Sequence, residues 1–386
     1  MASPTAPGPR QRLFAPGPTP IPDPVQAALA EPPVYHRGPA FPELLTGVLE
    51  DVKSVFPTTH DLLALASSGT GVMEAAVVNT LSSGERALAI QAGQFGARWG
   101  ELCRAYGIDV DIIDLPWGSA LDPAAVASHL GEDPSIRVVF ATQSETSTGV
   151  LHDIQGLGEA VRDSDRLLVI DGISSVGAHP LSTDEWGVDV AVTASQKGLM
   201  LPPGLGIIAV GPRAWESSER ADLPRYYWDL RTYRASLAEG RGPATLPVTL
   251  IAGFRAALDL IAEEGIEQVW ARHARHAGAV RAAADALGLS VFAQCPSNAL
   301  TAIALPEQVD GLALMEHLRV RFGIILGGGL AHLRGRIVRI SNLGYVDDLD
   351  ILSVVSALEV GLMHLAWPFH TGTGVAAAED ALFKKP

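Results

Sequence analysis

Short runs of consecutive apolar residues punctuate the chain between Asp61 and Gly211: Leu62–Ser67, Arg86–Ile90, Ile108–Ile113, Ile136–Thr142, Arg166–Asp171, Val188–Thr193 and Gly206–Val210. A strand with one wet face would alternate apolar and polar residues. Continuous hydrophobicity predicts strands covered by helices on both faces. The intervening segments Val72–Leu81, Ala97–Ala105 and Leu157–Val161 read as such helices. Strand–helix alternation needs crossover connections, so the pattern predicts an α/β fold with a mostly parallel sheet and a ligand site at the carboxyl ends of its strands.

Beyond Val248 the period changes. Leu250, Ile251, Phe254, Leu258 and Ile261 recur at helical spacing, and Gly265 marks a break before a second helix reaching Leu287. Strands at Ser290–Ala293, Leu300–Leu305 and Ile337–Ser341 and helices at Val309–Arg321 and Leu349–Leu365 follow. These elements predict a second, smaller α+β domain. The Ala-rich tail after Pro368 is expected to lie outside the core.

Composition narrows the partners. With 386 residues, 47% hydrophobic and 18% charged, the chain has material for two or three domains with a sizeable core. A net charge of −15 repels phosphate backbones, so no nucleic-acid partner is expected. No apolar run reaches the roughly 18 residues needed to cross a bilayer, and the Pro-rich start Met1–Arg12 lacks the apolar core of a signal peptide. Cys103 and Cys295 form no CxxC, which suits a reducing compartment, and a cytoplasmic location is expected.

Only four lysines occur, Lys53, Lys197, Lys384 and Lys385, and Lys197 alone follows an apolar strand, in Thr193-Ala194-Ser195-Gln196-Lys197-Gly198. Burial there would lower its pKa and free the amine as a nucleophile or for a Schiff base; the alternative is a strand-end lysine with its amine in solvent. Asp171 ends the apolar run Leu168-Val169-Ile170. A buried carboxylate needs a cationic partner, and a protonated pyridine nitrogen would serve, unless Asp171 only caps the next turn. Ser67-Ser68-Gly69-Thr70-Gly71, between a strand and a helix, offers either a phosphate seat or a plain N-cap.

The order and spacing of these elements resemble the pyridoxal-phosphate enzymes of fold type I, specifically the class V aminotransferases. The resemblance runs through Ala15-Pro16-Gly17-Pro18-Thr19-Pro20, Ser68-Gly69-Thr70-Gly71, Thr146-Ser147-Thr148-Gly149, Asp171, Ser195-Gln196-Lys197-Gly198 with Pro202-Pro203-Gly204, and Val338-Arg339-Ile340. Within the family the chain looks most similar to alanine–glyoxylate and serine–glyoxylate (serine–pyruvate) aminotransferases, including a bacterial branch sometimes labelled a soluble hydrogenase subunit.

The resemblance implies a large domain with a seven-stranded, mostly parallel sheet over residues 21–265. It also implies a small C-terminal domain over 266–386 and an N-terminal segment, 1–20, that joins the small domain and the site entrance. Lys197 would carry pyridoxal 5′-phosphate as a Schiff base and shuttle the substrate proton, while Asp171 pairs with the pyridine nitrogen. Phe95 and Ile173 would flank the ring, Thr146 would sit near its phenolic oxygen, and Thr70, Gly71, Val72 and Gln196 would hold the phosphate. Thr245 would reach the cofactor from the second subunit of a homodimer. Where some members place a tyrosine three residues before that threonine, this chain has Gly242.

Arg339 would bind the substrate α-carboxylate in a bidentate fork, near Gly17. Arg336 is expected to face solvent. His273 and His276 lack a third ligand, so they read as a solvated basic face and no metal is expected. His36 and Arg37 are expected to serve packing or an interface. The implied reaction moves an amino group from a small L-amino acid, alanine or serine, to a 2-oxo acid, glyoxylate or pyruvate, in a ping-pong cycle. A lyase or racemase on the same fold, or a non-catalytic subunit of a redox complex, is the alternative.

Overall fold

The computed structural model describes residues 9–162 and 164–384. The first eight residues of the Pro-rich start and Lys385 lie outside the described residues. All seven apolar runs form strands of one sheet, in the spatial order Asp61–Ser67, Gly204–Val210, Val190–Ala194, Leu167–Asp171, Ile136–Thr142, Arg86–Gln91, Asp109–Asp114. Six run in one direction, and Gly204–Val210 is antiparallel to both neighbours. The central strands are buried along their whole length, which is why their sequences show no alternation.

Helix Gly69–Thr80 begins three residues before the apolar periodicity does, because Gly69 and Thr70 carry no apolar signal. That shift matters to the site, since it brings the helix start directly against strand Asp61–Ser67. Gly265, at φ +83°, interrupts helices Val248–Glu264 and Ile266–Ala286 at the expected residue.

A second sheet runs in the order Arg12–Phe14, Ile324–Gly328, Ile337–Ser341, Leu300–Ala304, Ser290–Val291. Its first two strands were not foreseen: one is three residues long and the other has only three apolar residues, Ile324–Leu326, before two glycines, so both are too short to stand out. Arg12–Phe14 pairs in parallel with Ile324–Leu326, and Phe14 is buried among the small-sheet core residues. The chain then runs from Pro16 to Thr19 over the carboxyl end of the large sheet.

Two expectations are corrected. The Ala-rich tail forms helix Thr373–Phe383, which packs on helices Ile266–Ala286 and Asp348–His364 and buries Ala378 and Leu382 in the small-sheet core. Buried Glu359 caps it, accepting from the N–H groups of Gly372, Gly374 and Val375 at 2.9, 2.7 and 3.0 Å. Alanine is apolar enough to pack closely against a neighbouring helix, so low complexity was a poor sign of exposure.

The second correction concerns His273 and His276, which are fully buried rather than solvated. His273 donates from Nδ1 to Val269 O at 2.7 Å and accepts the Gly344 N–H at 3.0 Å, while His276 Nε2 meets Asp348 Oδ1 at 2.8 Å. The flanking Arg272 and Arg275 made this helix face look wet.

Deleting the chain after Pro368 is therefore expected to cost about 3 kcal/mol or more, by exposing apolar surface and leaving Glu359 without its donors. Urea unfolding measures it. A truncated chain with an unchanged midpoint would show that the tail helix adds nothing.

Candidate active site

Strand Leu167–Asp171 delivers Asp171 to the carboxyl edge of the sheet, and the turn after Val190–Ala194 delivers Lys197 beside it. The lysine turn is tight. A Cβ at Gly198 would stand 2.3 Å from Val176 O, so only glycine fits that approach. From above, the segment Pro16–Thr19 closes over the lysine: Lys197 Nζ donates to Pro16 O, and Thr19 Oγ1 donates to Lys197 O at 2.9 Å. Gly17, at φ +131°, lies so near that a Cβ there would be 2.6 Å from Nζ.

The sheet edge and this segment enclose a cavity of about 330 Å³. Its wall brings together Gly17, Thr70, Phe95, Thr146, Asp171, Ile173, Gln196 and Lys197, eight of the residues singled out from the sequence. Gly71 and Val72 are not among the lining residues. Their N–H groups bond back to Ser68 O at 3.1 and 3.4 Å, and the Val72 side chain packs against Gly206. Thr245 is exposed in the loop before helix Val248–Glu264 and does not line this cavity either.

Arg339 is buried and reaches the cavity wall through Thr146, donating from Nη1 to Thr146 O at 2.7 Å and from Nε to Gly328 O at 2.9 Å. Arg336, just before the buried strand Ile337–Ser341, is exposed. His36 is half-buried and Arg37 exposed, and neither lines the cavity.

Burial dominates the electrostatics. It pushes the Lys197 ammonium down to about 8, with Arg339 adding to the fall and the Asp171 charge opposing it. Burial likewise pushes the Asp171 carboxyl up to about 7, although the Ile173 N–H, at 2.8 Å from Oδ1, favours the anion. Without a cation against it, Asp171 is poorly stabilised as a carboxylate. Arg339 falls to about 10 through burial, with Glu145 opposing.

Glu145 was missed from sequence. It is fully buried at the start of helix Gly96–Ala105 and accepts from Phe95 N at 3.1 Å, Gly96 N at 2.8 Å, Ser147 N at 2.9 Å and Ser147 Oγ at 2.6 Å. It thereby ties the Phe95 loop to the Thr146 loop on either side of the cavity. An acid three residues after the apolar strand Ile136–Thr142, amid hydroxyl residues, was the available signal. Ser174 was missed as well; it lines the cavity and accepts from Thr146 Oγ1 at 2.6 Å.

A desolvated amine, a carboxylate that needs a cation, two apolar walls at Phe95 and Ile173 and an uncapped helix start are the chemistry that a covalent amine site on a fold-type-I enzyme requires. Residues 13–344 match the family model for "Aminotransferase class-V", and the chain belongs to that family.

It is 42% identical to the "Soluble hydrogenase, small subunit" of a Synechococcus strain, with 96% of this chain and 98% of that one covered. It is 41% identical to the L-aspartate–glyoxylate aminotransferase of Paracoccus denitrificans, covering 95% of each chain. It is 38% identical to the serine–glyoxylate aminotransferase of Methylorubrum extorquens, covering all of this chain and 99% of the other. The crystal structure of pyridoxamine–pyruvate aminotransferase from Mesorhizobium loti superposes with a TM-score of 0.93 at 29% identity, covering 99% of each chain. The protein is an aminotransferase. No helix among the described residues is long and apolar enough to cross a membrane.

Proposed function

We propose that this protein uses pyridoxal 5′-phosphate to move the amino group of a small L-amino acid, alanine or serine, to glyoxylate or pyruvate in a ping-pong cycle. The observation that carries the reading is the desolvated Lys197 amine placed in one cavity with Asp171, whose buried charge calls for a cation.

The residues fit the cofactor. Ser68 supplies no side-chain cap to helix Gly69–Thr80, which leaves N–H groups open to a phosphate, and Phe95 and Ile173 supply walls for a planar ring. Gly71, Val72 and Gln196 support the phosphate seat through the helix start and the lysine turn. Bound there, the cofactor supplies an aldehyde for the amino group and a cationic ring that accepts electron density from the substrate Cα. Asp171 holds the proton on that ring, and Lys197 Nζ takes and returns the proton at Cα. Arg339 keeps guanidinium hydrogens free for the α-carboxylate, with Gly17 leaving room beside the amine, and the buried surroundings exclude water.

We infer a cytoplasmic homodimer, in which the exposed Thr245 reaches the cavity of a second copy. Light scattering tests the assembly. We keep the division at residues 20 and 265 as the working domain boundaries. The lyase, racemase and redox-subunit readings are not favoured, since aminotransferases predominate among the relatives.

The deciding experiment is a panel of amino donors, with alanine, serine and aspartate first, scored by the change in cofactor absorbance and then by stoichiometric glycine formation from glyoxylate. Alanine or serine should react fastest. A protein that converts no donor, or releases product without an acceptor, would sink the assignment.

A further inference from the structure

Arg98 stands in the first turn of helix Gly96–Ala105, three residues after Phe95, and lines the same cavity as Lys197. Its guanidinium lies over the Phe95 ring, 5.2 Å from the centroid, and Nη1 donates to Thr70 Oγ1 at 3.1 Å. Among the described residues it forms no ion pair with a carboxylate. Half-buried arginines normally find an acid or several carbonyls, so this one, whose charge reaches Asp171 only across the cavity, keeps donors without a carboxylate partner there.

Thr70 is the second residue of helix Gly69–Thr80. Ser67 Oγ is turned to Ser68 O at 2.7 Å and does not cap that helix, and the backbone bonds to Ser68 O begin only with Gly71 and Val72. The N–H groups of Gly69 and Thr70, the Thr70 hydroxyl and the Arg98 fork therefore converge on one spot. Four donors and a permanent cation at a helix start suit an oxyanion of more than one charge.

Resting on the cofactor reading above, we propose that Arg98 is the cationic anchor of the cofactor's phosphate group in this chain. A phosphate monoester carries a charge of about −1.5 to −2 at neutral pH, and the helix start alone offers only about half a unit of positive charge. Lys197 and Arg339 are committed to the amine chemistry and the substrate carboxylate. Arg98 supplies the missing charge, and its contact with Thr70 holds that hydroxyl in place. The same guanidinium chemistry could instead take the distal carboxylate of a dicarboxylic donor, and the test separates the two.

Cofactor-stripped protein is titrated with pyridoxal 5′-phosphate and with pyridoxal, which lacks the phosphate, following tryptophan fluorescence; turnover is not needed. Arg98→Gln should raise the Kd for the phosphate ester about ten- to a hundredfold and leave that for pyridoxal within about twofold, with Arg98→Lys in between. Inorganic phosphate should compete with the ester on the unmodified protein and much less on Arg98→Gln.

Equal losses for both ligands would make Arg98 a packing residue and overturn the proposal. An unchanged Kd for the ester with a selective loss of reaction with aspartate over alanine would overturn it in favour of a distal carboxylate site. Should Arg98→Gln fail to fold, Arg98→Lys decides: an unchanged ratio of the two Kd values overturns the proposal. An unmodified protein that binds neither ligand removes the cofactor reading itself, whereas one that binds the ester as Arg98→Gln does removes only this assignment.

Discussion

Lys197→Ala is expected to remove amino transfer almost completely, with kcat falling by about 10⁴-fold or more, while the protein stays folded. The expected loss is large because, in the role proposed for it, one amine would serve as both covalent anchor and proton carrier, and each role alone is worth about 10²–10⁴-fold. Among the described residues no other lysine lies near: Lys53 lies on the short turn after helix Ala40–Asp51, paired with Glu50, and Lys384 pairs with Asp380 at the far end of the chain. Folding should survive, because burial already pushes the Lys197 amine down to about 8 and the alanine variant no longer has to bury an ammonium.

That shift also sets the pH response of the cofactor-free protein. Folded Lys197 loses its proton near pH 8, whereas the unfolded chain keeps it to about 10.5. Between these values the unfolded state binds more protons, so stability rises with pH, and Lys197→Ala should flatten that rise. Borohydride treatment of the loaded protein followed by peptide mass spectrometry should find the cofactor fixed on Lys197 and nowhere in the variant. Retained turnover in the variant, or a label on another residue, would refute the role given to this amine.

The parts of this site that were legible in the sequence lie where a buried strand ends in a residue unlike the strand. Asp171 after Leu168–Ile170 and Lys197 after Val190–Ala194 are conspicuous because continuous hydrophobicity stops at a charge or just before one. Arg339 stood out for the opposite reason, lying inside the buried strand Ile337–Ser341. Glu145, whose one signal was an acid soon after a buried strand, ends the two-residue strand Ser144–Glu145, while Ser174 and Arg98 sit in a turn and at a helix start, where polar residues are the rule. Their meaning comes from neighbours distant in sequence: Glu145 binds the backbone at Phe95, and Arg98 binds Thr70.

The fold shows the same division. The seven long strands were readable from the chain, but Arg12–Phe14 exists only because Ile324–Leu326 lies ready to pair with it. The tail helix owes its place to Glu359 and to the small-sheet core, neither of which its own alanines could announce.

Asp171→Asn should leave the cavity's shape intact and reduce kcat by about 10²–10⁴-fold, because an amide cannot balance a cationic ring nitrogen. The same exchange has a second, independent signature in the cofactor-free protein. Burial holds the folded Asp171 carboxyl protonated up to about pH 7, while in the unfolded chain it ionises near 3.8. Between those values the folded state binds more protons than the unfolded one, so raising the pH erodes stability.

By pH 7 burying this carboxyl, which the unfolded chain would leave ionised, destabilises the empty protein by about 2–4 kcal/mol, and asparagine, neutral throughout, escapes that cost. Cofactor-free Asp171→Asn should therefore melt at a higher temperature than the unmodified protein near pH 7 and at nearly the same temperature near pH 4. A cationic ring bound against Asp171 should remove most of the difference by stabilising the unmodified protein more than the variant. Melting curves for both proteins, empty and loaded, from pH 4 to 8 test this directly. Parallel curves at all pH values would mean that Asp171 carries no buried charge in need of a partner, and the pairing at the centre of the site would be lost with it.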